Sequence, residues 1–205
     1  MYKAFGKRIC DVILSCLIFP IFLVMCLVIR IAVLFDDRGP LFYVSDRLGK
    51  DGKVFKMYKF RSMKVNAPDL RNKDGTTFNS KDDMRVTKVG KVLRKTSLDE
   101  VPQIINVLKG EMSFIGPRPD MPNAVNIYSE ADREKLCVAP GITGYSQVHY
   151  RNSSTLEQRF AGDVFYARNV SFWTDMKIFI TTVKNVLARE NVYRNEGSYH
   201  EDNSR

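Results

Sequence analysis

Two adjacent carboxylates, Asp99 and Glu100, stand in a stretch of this 205-residue chain where acids, bases and rigid turns crowd together. Arg94 and Lys95 precede them and Pro102 follows. An apolar run from Ile104 to Leu108 then leads to Gly116-Pro117-Arg118-Pro119. Ser97, three residues ahead of Glu100, fits a capping box, and Pro102 is tolerated only near a helix start. Both acids then lie at the positive end of a helix dipole, which favours their ionised forms. Neighbouring helix positions do not share a face, so the pair can do two jobs, one attacking and one holding a metal. First-turn acids are also ordinary helix stabilisers. The basic company shifts the reading: a helix N-terminus with Arg94, Lys95 and Arg118 nearby in sequence is an anion site. A carboxylate beside a phosphate is repelled unless a cation lies between them. Mg²⁺, which takes carboxylate and phosphate oxygens, is the economical choice at Asp99 and Glu100.

The elements that must position this stretch begin with an apolar N-terminus. Val12 to Ile29 carries no formal charge, and apolar character resumes after Arg30 as far as Phe35. No small-residue cleavage site follows, so a membrane segment is the reading rather than a signal peptide. Pro20 sits near its middle, where an interior proline costs about 3 kcal/mol in a water-exposed helix. Each Leu, Ile, Phe or Val gains roughly 0.3–0.6 kcal/mol on insertion, and about a dozen of them outweigh the break. The segment is expected to insert and bend at Pro20. Lys3, Lys7 and Arg8 flank it on one side and Arg30, Arg38, Arg47 and Lys50 on the other. The positive-inside rule holds both flanks in the cytoplasm, which a re-entrant helix satisfies and a plain bitopic span does not.

Composition bounds the partners. The formal net charge of +9 suggests a polyanion: an anionic membrane, a phosphorylated substrate or nucleic acid. No zinc-finger spacing, RNP-type strand or helix-turn-helix supports nucleic acid. Cys10, Cys16, Cys26 and Cys137 form no Cys-x-x-Cys pair, which points to free thiols in a reducing, cytoplasmic setting.

Downstream, Leu41–Val44 and Val54–Phe60 read as strands around a Gly49–Gly52 turn. Residues 64–83 read as a polar loop. Val86–Arg94 reads as a helix. Asp120–Ala131 reads as containing a short helix, and Asp132–Lys135 as a solvated charge run. Pro140–Gly144 is a rigid turn and Tyr145–Tyr150 a short strand. Leu156–Ala167 and Val170–Leu187 have amphipathic helical spacing. The second packs on the core or rests on lipid with Trp173 at the interface. Residues 191–205 are polar and expected to be disordered. His149 reads as structural, with no Ser-His-acid grouping in the chain.

Thr96–Gln103 followed by Asn106–Pro119 resembles the signature of the bacterial monotopic phosphoglycosyl transferases, also called bacterial sugar transferases or polyprenyl-phosphate hexose-1-phosphate transferases. The likeness extends to Lys59–Met63 and Pro140–Gly144 and covers roughly residues 1 to 190. The resemblance implies transfer of a hexose 1-phosphate from a nucleoside diphosphate sugar, most often a UDP-sugar, to polyprenyl (undecaprenyl) phosphate, with UMP leaving. This is the first membrane step of glycan assembly. It implies a re-entrant membrane helix, although Phe19 stands where family members often have Ser before the proline. On this reading Asp99 attacks the β-phosphorus and carries the sugar phosphate, and Glu100 helps hold Mg²⁺. Arg94, Arg118 and Lys59 meet phosphate oxygens. The resemblance adds Arg61, Gln147, Arg151, Asp163 and Tyr166 as site candidates.

The expected fold is α+β. A bent re-entrant membrane helix occupies residues 1–38, a small mixed catalytic domain of helices and short strands residues 39–190, and a tail 191–205. The expected place is the cytoplasmic face of a bacterial inner membrane, with UDP-sugar, polyprenyl phosphate and membrane lipid as partners and no nucleic acid. A homodimer contact is the alternative use of a lipid-facing aromatic surface. A membrane-anchored basic binding module without chemistry is the competing function class.

Overall fold

The structure is a computed structural model that describes residues 2–68, 70, 83–150 and 155–188. Arg151, the tail and most of the polar loop lie outside the described residues.

The chain is mixed helix and strand, a long apolar N-terminal helix followed by a small globular domain. After a π-helical turn, Tyr2–Gly6, helix α1 runs over Lys7–Asp36 with Pro20 inside it. Its buried residues are Asp11, Ser15, Phe22, Ile29 and Val33. Steps of four and seven put them on one helical stripe. The opposite face exposes Ile13, Leu17, Ile21, Val24, Leu27, Val28 and Ile31. Among the described residues, Tyr2–Asp36 is the one helix long and apolar enough to cross a membrane.

Both ends of α1 are fastened to the same domain. At the start, Tyr2 and Lys7 reach the Asp175 carboxylate at 2.6 and 2.7 Å. Arg8 donates to the carbonyls of Val107 and Leu108, the latter at 2.9 Å. At the far end, the Asp36 carboxylate accepts from the Val89 amide at 2.8 Å. Asp37, just past the helix, is clamped by Arg61.

Strands β1 (Phe42–Leu48) and β2 (Val54–Phe60) form an antiparallel hairpin in the register Phe42↔Phe60 to Leu48↔Val54. Its turn uses left-handed backbone at Asp51 and Gly52, where glycine has no Cβ to clash. Phe60 packs with Phe22, Ile29 and Val33 of α1 and with Leu93 and Ile104. This one apolar cluster ties the long apolar helix α1 to the strand and helices around Asp99.

Helix α2 (Lys88–Lys95) is capped by Thr87, whose hydroxyl accepts from the Gly90 amide at 2.9 Å. A Cβ on Gly90 would fall 1.9 Å from the Ser62 carbonyl oxygen, so only glycine lets α2 lie this close to the chain leaving β2. A 3₁₀ turn, Leu98–Gln103, then feeds α3 (Ile104–Lys109), which ends on a left-handed Gly110. The expected capping box is absent. Ser97 is itself left-handed, at φ 56°, and its side chain makes no cap hydrogen bond. A cap needs extended backbone at that residue. Pro102 lies within the 3₁₀ turn, and the α-helix begins only after it.

Short strands β3 (Ser113–Ile115) and β4 (Gly141–Thr143) pair in parallel. Gly116 and Gly141 allow it, since a Cβ on Gly141 would stand 2.1 Å from the Gly116 nitrogen. The strand expected at Tyr145–Tyr150 is instead helix α4 (Tyr145–His149), a five-residue element too short for its period to be read in sequence. The short helix expected after Asp120 is a 3₁₀ turn, Pro122–Asn126. The charge run expected to be solvated holds a buried member: Lys135 is 3% exposed. Helices α5 (Leu156–Arg168) and α6 (Phe172–Leu187) close the described chain. The capping box is found at α5, between Thr155 and Gln158.

Candidate active site

Four elements converge on the carboxylate pair. The 3₁₀ turn carries Asp99 and Glu100, β2 brings Lys59, α2 brings Arg94, and the turn after β3 brings Arg118. Lys59 Nζ lies 2.7 Å from Glu100 Oε1, and Gln103 Nε2 donates to Glu100 Oε2 at 3.1 Å. Arg94 Nε donates to Ser62 Oγ at 3.0 Å, which steers the guanidinium from α2. Asn106, fully buried, bolts α3 to β2. Its amide donates to Lys56 O at 2.7 Å, and its oxygen accepts from the Tyr58 amide at 3.1 Å. Lys59 is thereby held in register with the 3₁₀ turn.

The two acids sit in different electrostatic surroundings. Burial, then the charge of neighbouring Glu100, pushes Asp99 up to about 6, against the pull of Lys59 and Arg94. Burial also raises Glu100, but the charges of Lys59 and Arg118 and hydrogen bonds from Lys59 and Gln103 outweigh it. Glu100 ends at about 2. Glu100 is therefore a fixed anion, while Asp99 is a carboxylate made more basic than usual.

This donor set fits Mg²⁺. Two hard carboxylates offer oxygen ligands, and Mg²⁺ in phosphate chemistry takes one or two carboxylates plus phosphate oxygens and water. Among the described residues no group of three or more His, Cys, Asp or Glu could cage a metal alone. Phosphate oxygens would have to complete the shell.

The other sequence candidates are engaged elsewhere. Arg61 is buried and grips Asp37 through both terminal nitrogens, one of them at 2.6 Å, and it also donates to Pro40 O and Met63 O. It fastens the end of α1 to the end of β2. Tyr166, fully buried, donates to Asp175 at 2.7 Å, where Tyr2 and Lys7 also arrive. Asp163 accepts from Lys135 at 2.6 Å and Ser146 at 2.8 Å. Lys135 also donates to Asp120 at 2.8 Å. Asp120 and Lys135 share a small cleft with Pro117 and Arg118, so this buried network lies under the Arg118 turn. Gln147 donates to Ile142 O at 3.1 Å, and its Oε1 is buried without a partner. His149 stacks on Tyr145 and bonds that residue's carbonyl.

Ser62, Gln103, Asn106 and Lys135 are positioning residues that the sequence reading does not single out. Gln103 had a signal, since it stands one helical turn from Glu100. Asn106 and Lys135 had none, because their partners are far away in sequence.

Residues 2–189 match the family described as bacterial sugar transferase. The chain is 38% identical over 190 residues to a protein of Bacillus subtilis (strain 168) named uncharacterized sugar transferase EpsL, covering 91% of this chain and 89% of that one. It is 42% identical over 160 residues to the galactosyl transferase CpsE of Streptococcus agalactiae serotype III (strain NEM316), covering 74% of this chain and 35% of the relative. It is 40% identical over 195 residues to the UDP-glucose:undecaprenyl-phosphate glucose-1-phosphate transferase of Klebsiella pneumoniae, covering 91% of this chain. The chain spans 41% of the Klebsiella protein's length.

Proposed function

The chain belongs to the bacterial sugar transferase family, and from that premise we propose that it moves a sugar 1-phosphate from a UDP-sugar to undecaprenyl phosphate at the cytoplasmic face of a bacterial inner membrane. The observation that carries this reading is the unequal pair at the 3₁₀ turn, with Asp99 raised to about 6 beside Glu100 at about 2 among Lys59, Arg94 and Arg118.

Asp99 is the nucleophile. At neutral pH it is ionised, and it is more basic than an ordinary carboxylate. Its Oδ attacks the β-phosphorus of the donor; the bond from that phosphorus to the bridging oxygen breaks, and UMP leaves with the electron pair. Lys59, Arg94 and Arg118 neutralise charge on the phosphoryl oxygens as it builds. The acyl-phosphate on Asp99 then meets undecaprenyl phosphate, whose oxygen attacks the same phosphorus and returns Asp99 as a carboxylate. Mg²⁺, held by Glu100 and Asp99, would shield the diphosphate from the attacking carboxylate. Glu100 would serve as a ligand, with Lys59 and Gln103 fixing its orientation and charge.

The membrane helix fits the same account. Both its ends bind one domain, and one stripe along its length packs on that domain while the other face is apolar and exposed. A segment that enters and leaves by one face, bending at Pro20, keeps the site at the lipid boundary. Galactosyl and glucose both occur in the relatives' names, so the donor panel that tests the proposal must span hexose epimers.

The test is UMP release from a panel of UDP-sugars by the full chain in nanodiscs. One donor should release UMP in the presence of Mg²⁺ and undecaprenyl phosphate. No release with any donor, from protein of native circular dichroism, overturns the proposal.

A further inference from the structure

A groove of about 450 Å³ lies between α1 and α3, lined by Phe19, Phe22, Ile105, Leu108 and Lys109. Its size falls in the range of ligand sites. Two walls come from the membrane helix, on either side of Pro20. The other three residues belong to α3, the helix that follows the carboxylate turn. Ile105 and Leu108, three positions apart on α3, share one face, and Val101 precedes them in the 3₁₀ turn. Val101 and Ile105 pack on the same apolar cluster as Phe19 and Phe22. This stripe is a continuous apolar path from the groove to the residue next to Glu100. The single charge in the lining is Lys109, whose ammonium stands 4.8 Å over the Tyr58 ring. Tyr58 directly precedes Lys59 on β2, and Lys59 is the cation paired with Glu100.

We infer that this groove seats the first isoprenoid units of the acceptor lipid, with Lys109 drawing its phosphate out of the headgroup layer. The inference rests on the acceptor proposed above and names where that acceptor binds. A polyprenyl chain leaving the bilayer for an apolar groove gains little from hydrophobicity, because both surroundings are apolar. Recognition must come from packing, and two phenyl walls facing branched Ile105 and Leu108 offer a shaped surface to a methyl-branched chain. The phosphate alone is marked by charge, and Lys109 is the cation in the lining that supplies that attraction. Seating the chain fixes the depth and direction from which the phosphate approaches Asp99, so the second displacement becomes a local event.

The test is photo-crosslinking of the full chain in nanodiscs with a benzophenone-bearing short polyprenyl phosphate, read by peptide mass spectrometry. Crosslinks are expected within residues 19–22 and 105–109, suppressed by excess undecaprenyl phosphate and not by phosphatidylglycerol. Crosslinks confined to α6, or equal suppression by phosphatidylglycerol, overturn the inference; the latter would make the groove a general lipid site. A kinetic arm uses Leu108→Trp, which fills the groove. It should raise the acceptor KM about tenfold and leave the donor KM in UMP exchange within about twofold. An unchanged acceptor KM contradicts the assignment. Absence of UMP exchange in the unmodified chain would count against the proposed reaction, whereas the crosslink map judges the groove separately.

Discussion

Lys59 Nζ sits 2.7 Å from Glu100 Oε1, and the neighbouring Asp99 is left with the larger uncompensated cost of burial. Two carboxylates one residue apart thus acquire opposite shifts from their surroundings, and opposite shifts separate their roles. Strand β2 supplies the cation, the 3₁₀ turn supplies the acids, and Asn106 keeps the two in register.

The first prediction concerns pH. In the proposed reaction Asp99 attacks as the carboxylate, so kcat/KM for the donor should rise with pH through about 6 and level off above it. Lys59 lowers Asp99, so Lys59→Met should move this acid limb to higher pH. The plateau should also fall by about 10²-fold, as for loss of one oxyanion-stabilising group. A pH–rate profile of both proteins checks the direction.

The second concerns stability. Asp99 ordinarily titrates at 3.8 and is raised to about 6 in the folded protein. The folded state then binds more protons than the unfolded state within that window. Stability falls as pH rises through it, and the deficit is fully present above about 6. Asp99→Asn removes this deficit. Its melting temperature should exceed that of the unmodified protein by a few degrees at pH 8 and match it near pH 4. Thermal unfolding at the two pH values measures the difference.

The third concerns Gly90. An added methyl group would collide with the Ser62 carbonyl, which belongs to the backbone and cannot swing away. Gly90→Ala should push α2 off Ser62, break the Arg94–Ser62 hydrogen bond and destabilise the fold by about 2–3 kcal/mol. The donor KM should rise with it. Thermal unfolding and UMP-exchange kinetics test both parts.

The fourth concerns Lys135, which lies between Asp120 and Asp163 with all three side chains largely buried. Lys135→Met leaves two largely buried carboxylates without their shared ammonium and should cost about 3–5 kcal/mol. The Asp163→Asn, Lys135→Met double variant should recover part of that loss. Denaturant unfolding of the unmodified protein, the two single variants and the double variant gives the coupling.

Much of this is legible in the sequence. The apolar span of α1, the hairpin around Gly49–Gly52 and the amphipathic α5 and α6 all declare themselves by periodicity and turn residues. The carboxylate pair and its cations declare themselves by type and spacing. What stayed hidden depends on partners far away in the chain. Lys135 reads as a solvated lysine until Asp163, 28 positions on, folds against it. Gly90 reads as an ordinary helix glycine until Ser62 is placed under it. Ser97 carries the right side chain for a cap, and only its left-handed backbone removes it from that role. Helix α4 is a single turn, below the length at which its period could be told from a strand's.

The central claim is that Asp99 takes the phosphosugar covalently, and intact-protein mass spectrometry tests it most directly. The full chain is incubated with its UDP-sugar and Mg²⁺, without acceptor, and quenched in acid. The account predicts one added sugar phosphate per chain, mapped to the peptide containing Asp99, absent in Asp99→Asn and discharged by undecaprenyl phosphate. A chain that turns over with no adduct, or an Asp99→Asn protein that still exchanges UMP into the donor, would contradict it.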